Sequence, residues 1–253
     1  MREEWITSRK NPLLVQIRRL ASSRGARRSA GMFLGDGVKL LEEALKWGAP
    51  LETVVYSEGL DGPELPPEVR TVRVPEDVMA SISPMESPQG ALFLCRMWDT
   101  APPPRLESGR YLVLDGLQDP GNVGTIWRTA DALEADGLLL VHGCADPFGP
   151  KVVRATMGAC FRLPVWETGP ERLAGLLERS GLALYATALR EDTEDITTGG
   201  LSRSAVVIGS EGRGVSPELL AMSQRALKIP MRERCESLNA AAAAAVVLWE
   251  MGR

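Results

Sequence analysis

Apolar residues near the start of the chain recur at helical spacing. Leu13, Leu14, Ile17 and Leu20 share one face of a segment that predicts a helix from Pro12 to Ser22. Val38, Leu40, Leu41, Ala44 and Leu45 predict a second, from about Gly37 to Trp47. Shorter β-branched and apolar stretches follow, and Thr53–Tyr56, Thr71–Val74 and Gly90–Leu94 read as strands. Beyond residue 110 the pattern becomes regular. Tyr111–Asp115, Gly137–Val141, Leu163–Trp166, Ala183–Thr187 and Ala205–Gly209 are short apolar strands. Helical segments separate them at about Asn122–Glu134, Lys151–Ala159 and Glu171–Ser180, and a last helix spans about Ser237–Gly252. Apolar strands alternating with helices predict a parallel sheet covered on both faces.

The stretch Trp98 to Arg105 breaks this order. Its three consecutive prolines, Pro102 to Pro104, can continue neither a helix nor a central strand, and they favour an extended spacer. The predicted fold class is therefore α/β in two domains. A smaller N-terminal α/β domain covers residues 1–98, a linker 99–108, and a parallel-sheet domain 109–253.

Composition narrows the chemistry. His142 is the only histidine, closing an apolar run as a strand-end residue, so a multi-histidine zinc site is impossible and no metal is expected. Any general base has to be Asp, Glu, Lys, Tyr or a thiolate. Cys95, Cys144, Cys160 and Cys235 lack metal-ligand spacing and read as reduced, mostly buried thiols. No apolar run is long enough to cross a bilayer and no secretory signal is visible, so a cytoplasmic protein without membrane contact is expected. The net charge of −4 argues against nucleic acid only on average. Between Glu4 and Asp36 no acidic residue occurs, whereas Arg9, Lys10, Arg18, Arg19, Arg24, Arg27 and Arg28 all do. Such a segment suits phosphate contact, and a solvated cationic helix face is the alternative.

Three glycine- or proline-bearing loops carry the candidate chemistry, because ligands of open parallel sheets bind at the carboxyl ends of strands. The first, Asp119 to Arg128, places Asn122 to cap the following helix, Gly124 where close approach is allowed, and Arg128 in the second turn. The second, Ile208 to Val215, spaces Gly209, Gly212 and Gly214 around Glu211. It lacks the Lys-Ser/Thr ending of a triphosphate loop, and Glu211 would repel an anion, so a cationic or neutral ligand fits better. The third runs from Ile229-Pro230-Met231 to Glu236-Ser237-Leu238-Asn239, with Ser237 as the expected N-cap and Ala240 to Ala245 behind it.

In this order the loops resemble the SpoU (TrmH) family of the SPOUT superfamily of RNA ribose 2′-O-methyltransferases. Asn122, Gly124 and Arg128 match Asn-x-Gly-x-x-x-Arg, and Gly209, Glu211, Gly212 and Gly214 match Gly-x-Glu-Gly-x-Gly. Ile229, Pro230, Met231, Ser237, Leu238 and Asn239 match Ile-Pro-Met and Ser-Leu-Asn. Lys151, Arg154, Met157 and Gly158 are similar to the family's intervening segment. Phe33 to Gly37 with Glu42 to Leu45 resembles the substrate-binding domain that often precedes the catalytic one, with Asp36 where Glu is commoner. The chain departs at Glu233, where glycine is common, and at Ala240-Ala241, where Val-Ser is common.

The resemblance implies a deep C-terminal trefoil knot, a homodimer, and S-adenosylmethionine bound by Gly209, Gly212, Ile229, Met231, Leu238, Asn239 and Ala240. It implies catalytic roles for Arg128, Asn122 and Glu211, with Arg128 as the base in the family proposal; the chemistry favours Arg128 on the adjacent phosphate and developing oxyanion, Asn122 orienting Arg128 or the ribose, and Glu211 as the partner of Arg128. A guanidinium is a poor base, because its pKa lies above about 12. RNA would meet Arg9, Lys10, Arg18, Arg19, Arg27, Arg28 and Arg154, with ribosomal RNA expected before transfer RNA. A transfer-RNA enzyme, a base methyltransferase and a non-catalytic RNA-binding or assembly protein of the same fold remain alternatives.

Overall fold

The structure, a computed structural model, describes residues 4–107, 109–188, 193–232, 234 and 237–253. Up to Trp98 the elements are β1 (Glu4–Trp5), α1 (Pro12–Ser22), α2 (Arg24–Ala30), β2 (Met32–Asp36), α3 (Val38–Lys46), β3 (Leu51–Ser57), β4 (Arg70–Val74), α4 (Glu76–Ile82) and β5 (Ala91–Arg96). From Arg110 on they are β6 (Arg110–Asp115), α5 (Pro120–Ala132), β7 (Gly137–Val141), α6 (Pro150–Ala155), β8 (Val165–Glu167) and α7 (Pro170–Ser180). β9 (Ala183–Thr187), β10 (Glu194–Asp195), β11 (Ser204–Gly209), α8 (Pro217–Met222), β12 (Arg225–Lys228) and α9 (Ala240–Met251) complete the chain. Among the described residues no helix is long and apolar enough to cross a membrane.

Two compact units result. The first joins the chain up to Trp98 with Asp146–Phe161; the second joins Asp99–Ala145 with Arg162–Arg253. In the first, a mixed sheet runs in the order β1-β4-β3-β5-β2. Its core is built by Leu14, Ile17 and Leu20 of α1 with Leu34, Val55, Val72 and Leu92 of the strands. Asn11 starts α1 by accepting from the Leu13 amide at 2.9 Å, ahead of Pro12 at the first helical position.

The segment Asp146–Phe161 lies in sequence within the C-terminal half but packs with the N-terminal unit. Phe148 meets Phe33 and Trp98 with ring centroids 5.3 and 4.8 Å apart. Asp146 accepts from Arg27 Nε at 2.8 Å and Nη2 at 2.7 Å, and both side chains are under a tenth exposed. The helix predicted over 151–159 stops at Ala155, because Met157 (φ 49°) and Gly158 (φ 92°) turn the backbone left-handed. A Cβ on Gly158 would fall 2.7 Å from Glu43 Cβ, so only glycine fits there.

The second unit holds a seven-stranded sheet in the order β10-β12-β9-β11-β6-β7-β8, with every pairing parallel. Val113, Leu139, Val207, Ala186 and Leu184 fill one core layer with Leu173 and Leu177 of α7. Helix α5 packs on α9. Its Trp127 is fully buried and donates from Nε1 to Leu163 O at 3.0 Å. Cys95, Cys144 and Cys160 are free and buried, with burial pushing the Cys144 thiol up to about 11; Cys235 lies outside the described residues, as do Glu233 and Glu236.

Candidate active site

The carboxyl ends of β9, β11 and β12 frame a cavity of about 310 Å³. Of the residues expected to hold a cofactor, Gly209, Ile229, Met231, Leu238 and Ala240 line it. Gly212 and Asn239 do not: Gly212 faces a neighbouring crevice, and Asn239 is spent on capping α9. Ile208, Ser210, Glu211, Gly214 and Ser237 also line it, and Thr187 at the end of β9, Ala188 after it, Leu227 and Lys228 of β12 and Ala243 of α9 are wall residues that escaped sequence reasoning. The rule that ligands sit beyond strand carboxyl ends could have found Thr187 and Ala188. A Cβ on Gly209 would lie 2.2 Å from Gly214 C and 2.3 Å from Val215 N, so the loop can double back only over glycine.

Two helix caps differ from expectation, and the difference builds the site. Asp119, not Asn122, caps α5, accepting from the Asn122 amide at 2.8 Å. Asn239, not Ser237, caps α9, accepting from the Ala241 and Ala242 amides at 2.9 and 3.3 Å. Freed from capping, the Asn122 side chain donates from Nδ2 to Glu211 Oε1 and accepts at Oδ1 from Asn239 Nδ2 at 3.1 Å. One amide thus ties the three loops together. Glu211 is therefore the partner of Asn122 rather than of Arg128. Arg128 is exposed on α5 between buried Ile126 and Trp127 on one side and buried Ala130 on the other, with no ion-pair partner among the described residues.

A second polar network escaped the sequence. Asp115, at the end of β6 and almost fully buried, accepts from the Ser216 amide at 2.6 Å and faces His142 Nδ1 at 2.6 Å. His142 Nε2 lies 3.3 Å from Glu218 Oε2. Its backbone is left-handed, at φ 53°. Hydrogen bonding to Asp115 raises the His142 pKa above its ordinary value against the opposing effect of burial, and Glu218 adds to the rise.

This geometry matches known proteins over nearly the whole chain. The model of the SpoU rRNA methylase family matches residues 109–249. The chain belongs to the SpoU rRNA methylase family. A model of the MRM3-like substrate binding domain matches residues 11–92. The chain is 36% identical to an uncharacterised tRNA/rRNA methyltransferase of Synechocystis sp., over 98% of this chain and 93% of that protein. It is 32% identical to the 23S rRNA (guanosine(2553)-2′-O)-methyltransferase of Bacillus subtilis, over 97% of this chain and 98% of that one. Among solved structures, an rRNA methyltransferase of Sinorhizobium meliloti with S-adenosylmethionine bound superposes with a TM-score of 0.85 at 31% identity, covering 98% of this chain and 97% of that one. Membership in the SpoU family makes the chain an RNA methyltransferase.

The basic residues of this SpoU-family chain divide by environment. Arg19 and Lys10 are exposed. Arg9 pairs with Asp77 at 2.6 Å on the surface, and Arg18 donates to Arg9 O. Arg28 lies over the Phe148 ring, 5.5 Å from its centroid. Arg154 is half-buried and acts electrostatically on Asp36, a buried carboxyl that burial raises above its ordinary value. Arg27 is the exception to the expected RNA-binding set. It is 5% exposed, with its guanidinium consumed by Asp146 and by Leu20 O at 2.6 Å, so it holds the fold and cannot reach a phosphate.

Proposed function

We propose that the protein transfers a methyl group from S-adenosylmethionine to a ribose 2′-hydroxyl of ribosomal RNA in the cytoplasm. In this reading it acts as a homodimer, with a trefoil knot in the parallel-sheet unit. The observation that carries the proposal is the Asn122 amide, which joins Glu211 of the second loop to Asn239 of the third and so closes one cup from three distant segments.

The cavity fits the cofactor. Its volume falls at the lower end of the range of about 300–1,000 Å³ for small-molecule pockets. Ile208, Leu227, Ile229 and Leu238 offer apolar surface to an adenine, and the alanines of α9 leave room beside them. Glu211 and Lys228 both line the wall, so a ligand carrying charges of both signs, as the donor's sulfonium and amino-acid groups do, finds a partner for each. When bound, S-adenosylmethionine supplies an electrophilic methyl carbon. Arg128, exposed on α5, binds the RNA phosphate and stabilises charge developing on the 2′-oxygen. Asn122 holds the first loop against the second, and so positions the helix that carries Arg128.

Residues 1–98 serve as the RNA substrate-binding domain, 99–108 as the linker and 109–253 as the methyltransferase domain, with Asp146–Phe161 lent to the first unit. The exposed cations Lys10 and Arg19, with Arg9, Arg18, Arg28 and Arg154, are the candidate phosphate contacts. Support for a dimer comes from Trp249 of α9, which stands 61% exposed. The test is transfer of labelled methyl to unmethylated rRNA followed by alkaline hydrolysis. A 2′-O-methyl blocks cleavage, so the label should emerge in dinucleotides. Label in mononucleotides would mean base methylation and would refute the proposal.

A further inference from the structure

The parallel sheet has a second place for a ligand. Strands β7 and β8 extend the sheet on one side of β6, whereas β11, β9, β12 and β10 extend it on the other. The chain order therefore reverses between β6 and β11, and ligands of open α/β sheets bind in the crevice beyond such a switch point. Asp115 and Gly209, the last residues of the two strands, are paired across it. The methyl donor's cavity lies to one side, between β11, β9 and β12, and of this pair touches Gly209 but not Asp115.

That switch point holds a crevice of about 770 Å³. Its walls come from the loops after β6 and β7 and from the second loop with the start of α8. Ser210, Glu211 and Gly214 line both this crevice and the donor cavity, so one loop separates two ligand spaces. Whatever enters the crevice is held beside the donor.

The charges decide what enters. Asp115, Asp119, Glu211 and Glu218 face the crevice with His142 and Arg213. A phosphate would be repelled from such a floor. Base edges, by contrast, carry N–H donors, and carboxylates accept from them. Asp115 is engaged through both oxygens, by Ser216 and His142, while Asp119 and Glu211 each spend one oxygen on Asn122, in the contacts that cap α5 and tie the loops together. Glu218 is half exposed and meets His142 through one oxygen only. His142 is itself held by the buried Asp115, which leaves the other Glu218 oxygen directed by a fixed ring.

We propose that this switch-point crevice receives the acceptor nucleoside of the RNA, and that Glu218, steered by His142, holds its base through N–H donors. The proposal rests on the methyltransferase reading and adds the place of the acceptor to it. Glu218 is a binding residue and His142 a positioning residue. The acceptor's sugar then lies toward Ser210, Glu211 and Gly214, on the donor's side of the crevice, and its phosphates remain outside the acidic floor.

The test compares the full-length protein with Glu218→Gln, Glu218→Ala and His142→Phe. Methyl transfer to an unmethylated large-subunit rRNA transcript gives KM for RNA and kcat, and calorimetry gives Kd for S-adenosylmethionine. Loss of a charge-assisted hydrogen bond should raise the RNA KM of both Glu218 variants about 10–100-fold, with a smaller rise for His142→Phe. Kd for S-adenosylmethionine should stay within about twofold of the wild type, because Glu218 does not line the donor cavity. An unchanged RNA KM in both Glu218 variants would overturn the proposal. So would a parallel loss of donor affinity, which would make the network a prop for the second loop alone. A wild-type protein that methylates no RNA would instead sink the methyltransferase reading, and this inference with it.

Discussion

Arg128 and His142 behave differently from their sequence neighbours, and each carries a prediction. Arg128 is exposed and, among the described residues, has no ion-pair partner, so replacing it should not unfold the protein. Arg128→Lys keeps the charge and loses the planar fork. Its kcat should fall by about 10²–10³-fold, the loss typical of one preorganised oxyanion donor, with Kd for S-adenosylmethionine unchanged. Native turnover in that variant would remove Arg128 from the chemistry. His142 sits between the Asp115 and Glu218 carboxylates, and its folded pKa is raised. A raised histidine pKa contributes stability that is fully present below the unfolded value of about 6.5 and fades as pH climbs through the folded value. Thermal melts of the wild type should therefore decline from about pH 6 to 8, while those of His142→Phe should stay flat over the same interval. Parallel curves would show that the imidazolium adds nothing.

At the scale of elements, the second loop and the 146–161 segment depend on close packing. Gly209→Ala would force a Cβ to within 2.2 Å of the Gly214 backbone, so the loop must open. Donor binding should be lost while far-UV circular dichroism is retained; unchanged binding would show the loop to be tolerant. In the other unit, Asp146→Ala would leave the buried Arg27 guanidinium without its carboxylate. Removing one partner of a buried pair costs about 3–5 kcal/mol, read as a lower urea midpoint. The elements that were legible are those with uninterrupted local patterns. Ala183–Thr187 and Gly137–Val141 are observed at their predicted bounds, and α1 at Pro12–Ser22 likewise, because apolar periodicity and cap chemistry agree there. Others carry no such pattern. Helix α2 has the sequence RGARRSA, whose anchor is a buried arginine, and β12 is only four residues, RALK, two apolar between two charged, at a sheet position that only tertiary pairing defines. The site was legible as three loops but not as a hydrogen-bonded cluster. Local sequence assigns caps to Asn122 and Ser237, and only the fold shows Asp119 and Asn239 capping instead. The Asp115–His142–Glu218 network joins positions 27 and 76 residues from His142 in sequence, and no local spacing encodes it.

On the scale of the whole molecule, the proposed function requires separate surfaces for a methyl donor, an RNA and a second copy of the chain. The donor cavity and the switch-point crevice lie in the parallel-sheet unit, and the exposed cations Lys10 and Arg19 lie in the other. If the proposed dimer uses the exposed Trp249 on α9, Trp249→Glu should shift the species seen by light scattering toward monomer; an unchanged mass would place any dimer contact elsewhere. The most direct measurement is calorimetric titration of S-adenosylmethionine into the purified protein. Saturable binding to one site per chain is expected, retained in Arg128→Ala and lost in Gly209→Ala. Absence of binding in the wild type, or equal binding in Gly209→Ala, would contradict the existence of a donor cup built from these loops.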